Sequence, residues 1–433
     1  MTPASGRASS AAVVSWVVYD LALTIFSVSI LSFFFPIWIG DELGAGADFF
    51  NYITAVSMLL VVLTAPVFGA IADLRQRRKP FLIVLTLLAV AATAAFDAFG
   101  TVVTAAALFV AANFAFQSAQ IFYNSLLPTV AGERSTGRIS GYGTATGYIG
   151  AILALVLFTA LVTEPEAARS ILGPLGFWID TEGDLSSNTF VPTAAFFLLF
   201  SLPMFFLVPD RPVREPRPVS IRGAYRGVFE TIRNVRRYPG LGVFVIATIL
   251  YTDAANTVVT NMSLYGRVVF DMGDGEIRNL LIFSTVFAVL GAAAFGFITD
   301  RLGPKRTLVL VLACWLVAVA VAVLAVEAWM LLAAGPLVGI SLGATWVVSR
   351  VMLISLSPPG QLGEFFGFYA LAGRFSAVTG PALTGAILTV FSGLGPGAYR
   401  LAVFSLTITL AISLILVLRL PDKRPATTVR EFS

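Results

Sequence analysis

Apolar runs of about 20 residues, separated by short polar clusters, dominate the chain. About 30 Å of hydrocarbon needs that many residues at 1.5 Å of rise each, so every run predicts a membrane-spanning helix. Twelve are predicted, over 12–39, 49–72, 80–99, 102–126, 141–163, 190–208, 241–263, 278–299, 307–326, 329–354, 365–391 and 400–419. The first resembles a secretory signal, but it carries Asp20, runs too long and is followed by eleven more, so it is read as a helix. Polar residues within the runs fall at helical spacing. Asn113, Gln117, Gln120 and Asn124 share one face at i, i+4, i+7 and i+11, and Asp253, Asn256, Thr257 and Thr260 another at i, i+3, i+4 and i+7. Trp346 and Arg350 stand one turn apart.

The polar clusters between runs repeat. "GAIADLRQRRKP" at 69–80 has a looser copy, "GFITDRLGPKR", at 296–306. "SLLP" at 125–128 returns as "SLSP" at 355–358, the Gly141/Gly147 pair returns as Gly367/Gly373, and Tyr19-Asp20 is echoed by Tyr251 and Asp253. Four matches in the same order argue for a duplicated six-helix half. The predicted organisation is a first half over 1–209, a Pro- and Arg-rich linker over 210–240, and a second half over 241–433. Within the linker, 221–237 suits either a short amphipathic helix near anionic headgroups or a solvated connector.

Composition sharpens this picture. Of 433 residues, 58% are hydrophobic and 12% charged, against about a quarter charged in soluble domains. The net charge of +4 does not point to nucleic acid, because the cations sit in short clusters instead of one stripe. With the N-terminus inside, the cytoplasmic segments hold 22 Lys and Arg, and the opposite side holds only Arg169, Arg267, Arg278 and Arg400. That asymmetry predicts cytoplasmic termini. Cys314 is the single cysteine, so the chain has no internal disulfide framework, and its apolar surroundings suit a small core side chain. Histidine is absent, which removes the usual metal ligand and near-neutral proton carrier. Proton chemistry falls to carboxylates, and neither metal nor cofactor is expected.

Two six-helix halves in parallel repeat, joined by a basic linker, resemble the major facilitator superfamily. The charged clusters are similar to its signature G-x-x-x-D-[RK]-x-G-[RK]-[RK]. The second copy follows it through Gly296, Asp300, Arg301, Gly303 and Lys305; the first keeps Gly69, Asp73, Arg77 and Arg78, with Leu74 and Gln76 where a cation and a glycine are usual. The resemblance implies a gating latch, and a plain topology anchor stays open beside it. "VSMLLVVLTAPVFGAIAD", "FYNSLLPTVAGERSTGRISGYGTATGYIG" and "GEFFGFYALAGRFSAVTGP" are similar to the vacuole-effluxer-like branch, also called the unknown major facilitator family. This implies an all-α membrane protein with the major facilitator fold, a monomer moving a small-molecule solute across a prokaryotic plasma membrane. Eukaryotic members are associated with amino-acid release from the vacuole. Helix 1 departs from the branch's Y-D-W-A-N-S pattern, since Leu21, Leu23 and Thr24 follow Tyr19-Asp20.

The residues themselves supply the candidate chemistry. Asp20, Asp253, Arg350 and Arg374 lie within apolar runs, where a charge costs a few kcal/mol on insertion scales. Two ion pairs locking helices together would account for them. So would a transport path, in which an arginine fork holds a carboxylate or phosphate and an aspartate meets an ammonium group or a proton. On that second reading Asn113, Gln117, Gln120, Asn256 and Trp346 join the four charges in a central cavity, Asp20 and Asp253 couple transport to protons, and the two halves rock in alternating access. Pro66, Gly147, Pro336, Gly373 and Pro381 would permit the bending involved. No G-x-x-x-x-G-K-[ST] loop occurs, so ATP hydrolysis is not expected. Three rivals stay open: an exporter of amphiphiles using Phe33, Phe34 and Phe35, a non-transporting receptor, and an intramembrane aspartyl protease. The last matches at Tyr19-Asp20 but lacks a GxGD partner, the nearest text being "MGDG" at 272–275.

Overall fold

The computed structural model of the chain describes residues 9–422 except 46, 76, 99, 132–134, 177, 182–184, 211–232, 234–237 and 359. The predicted linker helix at 221–237 thus lies outside the described residues, apart from Arg233. The first apolar run folds as α1 (Ser10–Phe26), a π-helical stretch (Ser27–Phe33) and α2 (Phe34–Asp41). There follow α3 (Ala47–Arg75), α4 (Lys79–Ala94), α5 (Val102–Val130), α6 (Thr136–Thr163), α7 (Pro165–Leu172) and α8 (Phe190–Leu207). The second half supplies α9 (Leu241–Phe270), α10 (Asp274–Leu302), α11 (Pro304–Leu324), α12 (Ala328–Leu356), α13 (Leu362–Val390) and α14 (Pro396–Leu418). Among the described residues ten stretches, Ser10–Asp41 counted as one, are long and apolar enough to cross a membrane. With the shorter apolar α4 and the 29-residue α13 they account for the twelve predicted runs.

Several helices overrun the apolar windows, because a helix continues past hydrocarbon until a cap or breaker stops it. α5 runs on to Val130 with Pro128 inside it, and α6 starts at Thr136, ahead of residue 141. α9 continues to Phe270, where Asp271 adopts φ 50 and its N–H returns to the Gly266 carbonyl. Gly303 at φ 86 ends α10 and Pro304 opens α11, the pairing that glycine's freedom and proline's fixed φ favour. The window at 80–99 closes early, at Ala94, in a turn capped through the Ala92 and Thr93 carbonyls. α7 escaped the hydropathy reading because it is eight residues long; its signals are Pro165 at the start and Gly173 at φ 54 behind it.

The π-helical stretch shifts the helical phase ahead of α2. Phe34 and Phe35 are therefore turned into the core, 2% and 0% exposed, and Phe35 packs 4.7 Å from both Phe96 and Phe109. Only Phe33 of the three stays exposed. A lipid-facing route along Phe33–Phe35 is thereby corrected for two of its three residues.

The chain divides into two compact units, Met1–Val130 with Thr146–Val219, and Ala131–Ala145 with Ser220–Ser433. The boundary runs through α6. Unit 1 is built on the α4–α5, α1–α8 and α3–α5 pairs, and unit 2 on α10–α12, α11–α12, α9–α13 and α9–α14. The α10–α12 contact depends on small residues. Gly335, Gly339 and Gly343 line one face of α12, and a Cβ on Gly339 or Gly343 would collide with the Ser284 or Ala288 carbonyl of α10. Lipid gives no hydrophobic drive between helices, so such close backbone approach carries the association.

A buried brace closes the α3–α4 loop in unit 1. Arg78, 4% exposed, reaches Asp73 Oδ1 at 2.6 Å and donates to the Ser125 carbonyl at 2.6 Å. Asp210 accepts from the backbone N–H groups of Arg78 and Lys79 at 3.2 and 3.3 Å, satisfying donors that the start of α4 leaves open. Lys79 Nζ donates to the Val208 carbonyl at 2.8 Å.

Gly339→Leu is expected to cost about 1–3 kcal/mol or more through overpacking, lowering the thermal midpoint in detergent by several degrees. Gly385→Ala, where an added Cβ meets nothing within 4 Å, should leave it nearly unchanged. Arg78→Ala should destabilise by about 3–5 kcal/mol by breaking the buried Arg78–Asp73 pair, and Asp73→Ala added to it should recover part of the loss. Denaturation monitored by circular dichroism reads both.

Candidate functional site

Unit 1 gathers polar groups from α1, α3, α4 and α5. α1 presents Trp16, Tyr19, Asp20 and Thr24 along one face. Tyr19 OH shares a 2.6 Å hydrogen bond with Thr86 Oγ1, and Trp16 stacks on Tyr123 at 4.4 Å while its Nε1 donates to the Tyr123 carbonyl at 3.1 Å. Two of the four predicted α5 amides join into a chain: Gln117 Nε2 donates to Asn113 Oδ1 at 3.2 Å, and Asn113 Nδ2 to Ser57 Oγ at 2.7 Å. Gln120 and Asn124 are half-buried beyond it. Asp20 is 9% exposed. Beside it Thr24 Oγ1 donates to the Asp20 carbonyl at 2.9 Å, and Gly147 of α6 passes so closely that a Cβ there would meet Thr24 Oγ1 at 2.7 Å.

Unit 2 repeats this device. Asp253 of α9 is buried, and Thr379 of α13 donates its hydroxyl to Asp253 Oδ1 at 2.5 Å. Gly380 sits where a Cβ would collide with Thr257 Oγ1 and come within 3.0 Å of Asp253 Oδ1. Ser376, one turn earlier, donates to the Ile249 carbonyl at 2.8 Å and ties the same two helices. Asp20, Thr24, Thr146 and Gly147 thus correspond to Asp253, Thr257, Thr379 and Gly380, each 233 positions later. This corrects the pairing of Gly147 with Gly373, around which an added Cβ would meet nothing within 4 Å. Tyr251 falls one residue outside that register and bonds Ser349 Oγ at 2.7 Å.

Of the predicted stripe on α9, Asp253 and Thr257 are buried, Asn256 is half-buried and Thr260 is exposed. On α12, Trp346 and Arg350 are half-buried, and Arg350 Nη1 donates to Ser140 Oγ at 3.3 Å. The Arg374 side chain lies outside the described residues, as do those of Pro66 and Pro381.

The second charged cluster behaves unlike the first. Asp300 accepts from the backbone N–H groups of Gly137 and Arg138 at 2.7 and 3.1 Å and from Arg138 Nε at 3.1 Å, capping the start of α6 within unit 2. Gly137 has to lack a side chain, since a Cβ would meet the Gly296 carbonyl at 2.5 Å. Arg77 and Arg301 are exposed and Lys305 is half-buried. Sequence reading passed over Thr146, Thr379 and Gly380, although D-x-x-x-T followed far downstream by T-G, twice in one register, is a readable signal. Arg138 and Ser140 gave no signal of their own. Among the described residues no group of three or more His, Cys, Asp or Glu could hold a metal ion.

The chain resembles known proteins along nearly its whole length. Residues 45–429 match the family described as "Vacuole effluxer Atg22 like". The chain is 26% identical over 423 residues to the uncharacterized MFS-type transporter YxiO of Bacillus subtilis (strain 168), covering 94% of each. It is 23% identical over 300 residues to autophagy-related protein 22-1 of Penicillium rubens, covering 62% of this chain and 47% of that protein. Two solved structures share its fold: the E. coli fucose:proton symporter FucP (TM-score 0.71, 13% identity, covering 95% of this chain and 98% of that one) and the human organic anion transporter MFSD10 (TM-score 0.69, 13% identity, covering 96% and 100%). A family match spanning most of the chain, on a twelve-helix major facilitator fold, makes this protein a member of the Atg22-like vacuole effluxer family of multi-pass secondary transporters.

Proposed function

We propose that this transporter carries a small polar organic solute, amino acids first among the candidates, by alternating access across a prokaryotic plasma membrane. The observation that carries the reading is the duplicated device, a buried aspartate held against a glycine-bearing helix in each unit. Structural ion pairing alone gives no reason to keep both copies in register. In unit 2 the Arg350 guanidinium supplies a fork for a solute carboxylate, Arg374 a second cation, and Asn256 and Trp346 further contacts; in unit 1 the Asn113–Gln117 chain and Gln120 supply donors and acceptors. Asp20 and Asp253 are the coupling groups, neutralised by a proton or another cation in one state and wetted in the other. The chain works as a monomer with both termini in the cytoplasm.

Asp300 serves as the latch of this cycle. While it caps α6, residues 131–145 stay packed in unit 2, and release of the cap frees them. Arg301 and Lys305 then anchor that end at the headgroups, and Asp73, Arg77 and Arg78 do the same for the braced α3–α4 loop.

A second reading, export of amphiphiles, has one observation of its own. Unit 2 holds an apolar cavity lined by Met262, Tyr265, Leu331 and Val338 with Thr257 and Asn261 as polar points. Such a pocket accepts an apolar tail with a small polar head.

Counterflow into proteoliposomes separates the two readings. Saturable exchange of labelled amino acids is expected, with the initial rate lowered at least about tenfold in Asp20→Asn and Arg350→Ala, a loss of ~1.4 kcal/mol or more. Exchange restricted to amphiphiles would transfer the assignment to the second reading. For the latch, Asp300→Asn is expected to raise maleimide labelling of Thr144→Cys several-fold in a Cys314→Ser background. Unchanged labelling together with unchanged counterflow would reduce the cluster to a topology anchor.

A further inference from the structure

We infer a sodium site in unit 2, formed by the Asp253 carboxylate with the Thr257 and Thr379 hydroxyls. It rests on the transport reading above and specifies the cation that couples at Asp253. Asp253 lies in the membrane-crossing helix α9, is 5% exposed, and has no ion-pair partner among the described residues. A carboxylate at that depth is costly, and the Thr379 hydroxyl and Gly380 N–H that donate to it neutralise no charge. The site therefore calls for a cation.

Thr257 indicates which kind. Threonine within a helix ordinarily gives its hydroxyl to the carbonyl four residues back, as Thr86, Thr93, Thr307 and Thr345 do here. Its counterpart Thr24 also does so, to Asp20. Thr257, like Thr54, Thr129, Thr144, Thr193 and Thr252, departs from the pattern: it is 2% exposed, and its Oγ1 has no hydrogen-bond partner among the described residues. The hydroxyl instead stands at Gly380, where the missing side chain leaves both Thr257 Oγ1 and Asp253 Oδ1 facing the same backbone. Thr379 adds a third oxygen, within hydrogen-bond distance of Asp253 Oδ1.

Three hard oxygens on two crossing helices suit an alkali cation better than a softer metal. The charge balance selects a monovalent ion. One carboxylate neutralises one positive charge, whereas a divalent ion would leave a net charge in hydrocarbon. A proton would neutralise Asp253 too, but it would leave the Thr257 hydroxyl unanswered among the described residues. Unit 1 holds the same four residue types in register, but there the equivalent threonine hydroxyl is already spent, so the site belongs to unit 2.

The test is thermal unfolding of the purified full chain in detergent, at constant ionic strength, in sodium, potassium or N-methylglucamine chloride. A saturable rise of several degrees is expected with sodium, because a ligand bound by the folded state stabilises it. The rise should vanish in Asp253→Asn and Thr257→Val and persist in Thr24→Val. Radiolabelled sodium should bind at about one per chain, and Thr379→Val, which deletes a peripheral ligand, should weaken it several-fold if Thr257→Val does not fold. Equal midpoints in sodium and N-methylglucamine, or a midpoint that follows pH alone, would overturn the site. Solute counterflow that persists without sodium binding would remove the site and keep the transport reading, and sodium binding without counterflow of any solute would do the reverse.

Discussion

Hydrocarbon supplies no hydrogen bonds, so every polar atom taken into the membrane has to be answered from within the chain. Much of the unusual geometry in this protein follows from that demand. Hydroxyls fold back onto carbonyls of their own helices, as at Thr86, Thr93 and Thr307. Tyr265 reaches the Ala322 carbonyl at 2.8 Å, and Arg400 donates to the Val323 and Ala325 carbonyls at 2.9 and 2.6 Å, closing the end of α11. Asp300 answers the opposite problem, the open N–H groups at the start of α6. At Thr257 the solution is incomplete in a buried place beside Asp253.

Duplication set two copies of each device in the chain, and the copies have diverged in what they hold. The first charged cluster turns inward: Arg78 is consumed by Asp73 and the Ser125 carbonyl, which fastens α3, α4 and α5 into one block. The second keeps its aspartate for backbone N–H groups 163 and 162 residues away in sequence. The difference follows the text. The first copy has Leu74 and Gln76 where the second has Arg301 and Gly303, and Gly303, at φ 86, gives the abrupt helix-to-helix corner before Pro304. A brace and a cap therefore grew from one ancestral loop.

Hydropathy made the membrane class, the twelve runs and the duplication legible, because a helix that must cross lipid has little freedom in length or composition. The cost of intramembrane charge likewise marked Asp20, Asp253 and Arg350. What stayed illegible depends on neighbours distant in sequence. Phe34 and Phe35 read as a lipid-facing patch, yet a π-helical stretch with no proline or glycine rotates them into the core. Ser140 and Arg138 gain meaning only from Val347, Arg350 and Asp300, more than 160 residues away. Gly380 lay in plain sight, but nothing local distinguishes a glycine that admits a carboxylate from one such as Gly373 that touches nothing.

The boundary between the two units falls inside α6, so neither unit is a continuous piece of chain. Residues 131–145 emerge during synthesis with the first half but complete the packing of the second, their Ala145 meeting Ala292 and Val347 there. Unit 2 accordingly takes part of its packing from N-terminal sequence, and those contacts close a loop begun long before. A gene cut at the connecting linker would divide the polypeptide at its obvious seam and still leave the second product without its own wall.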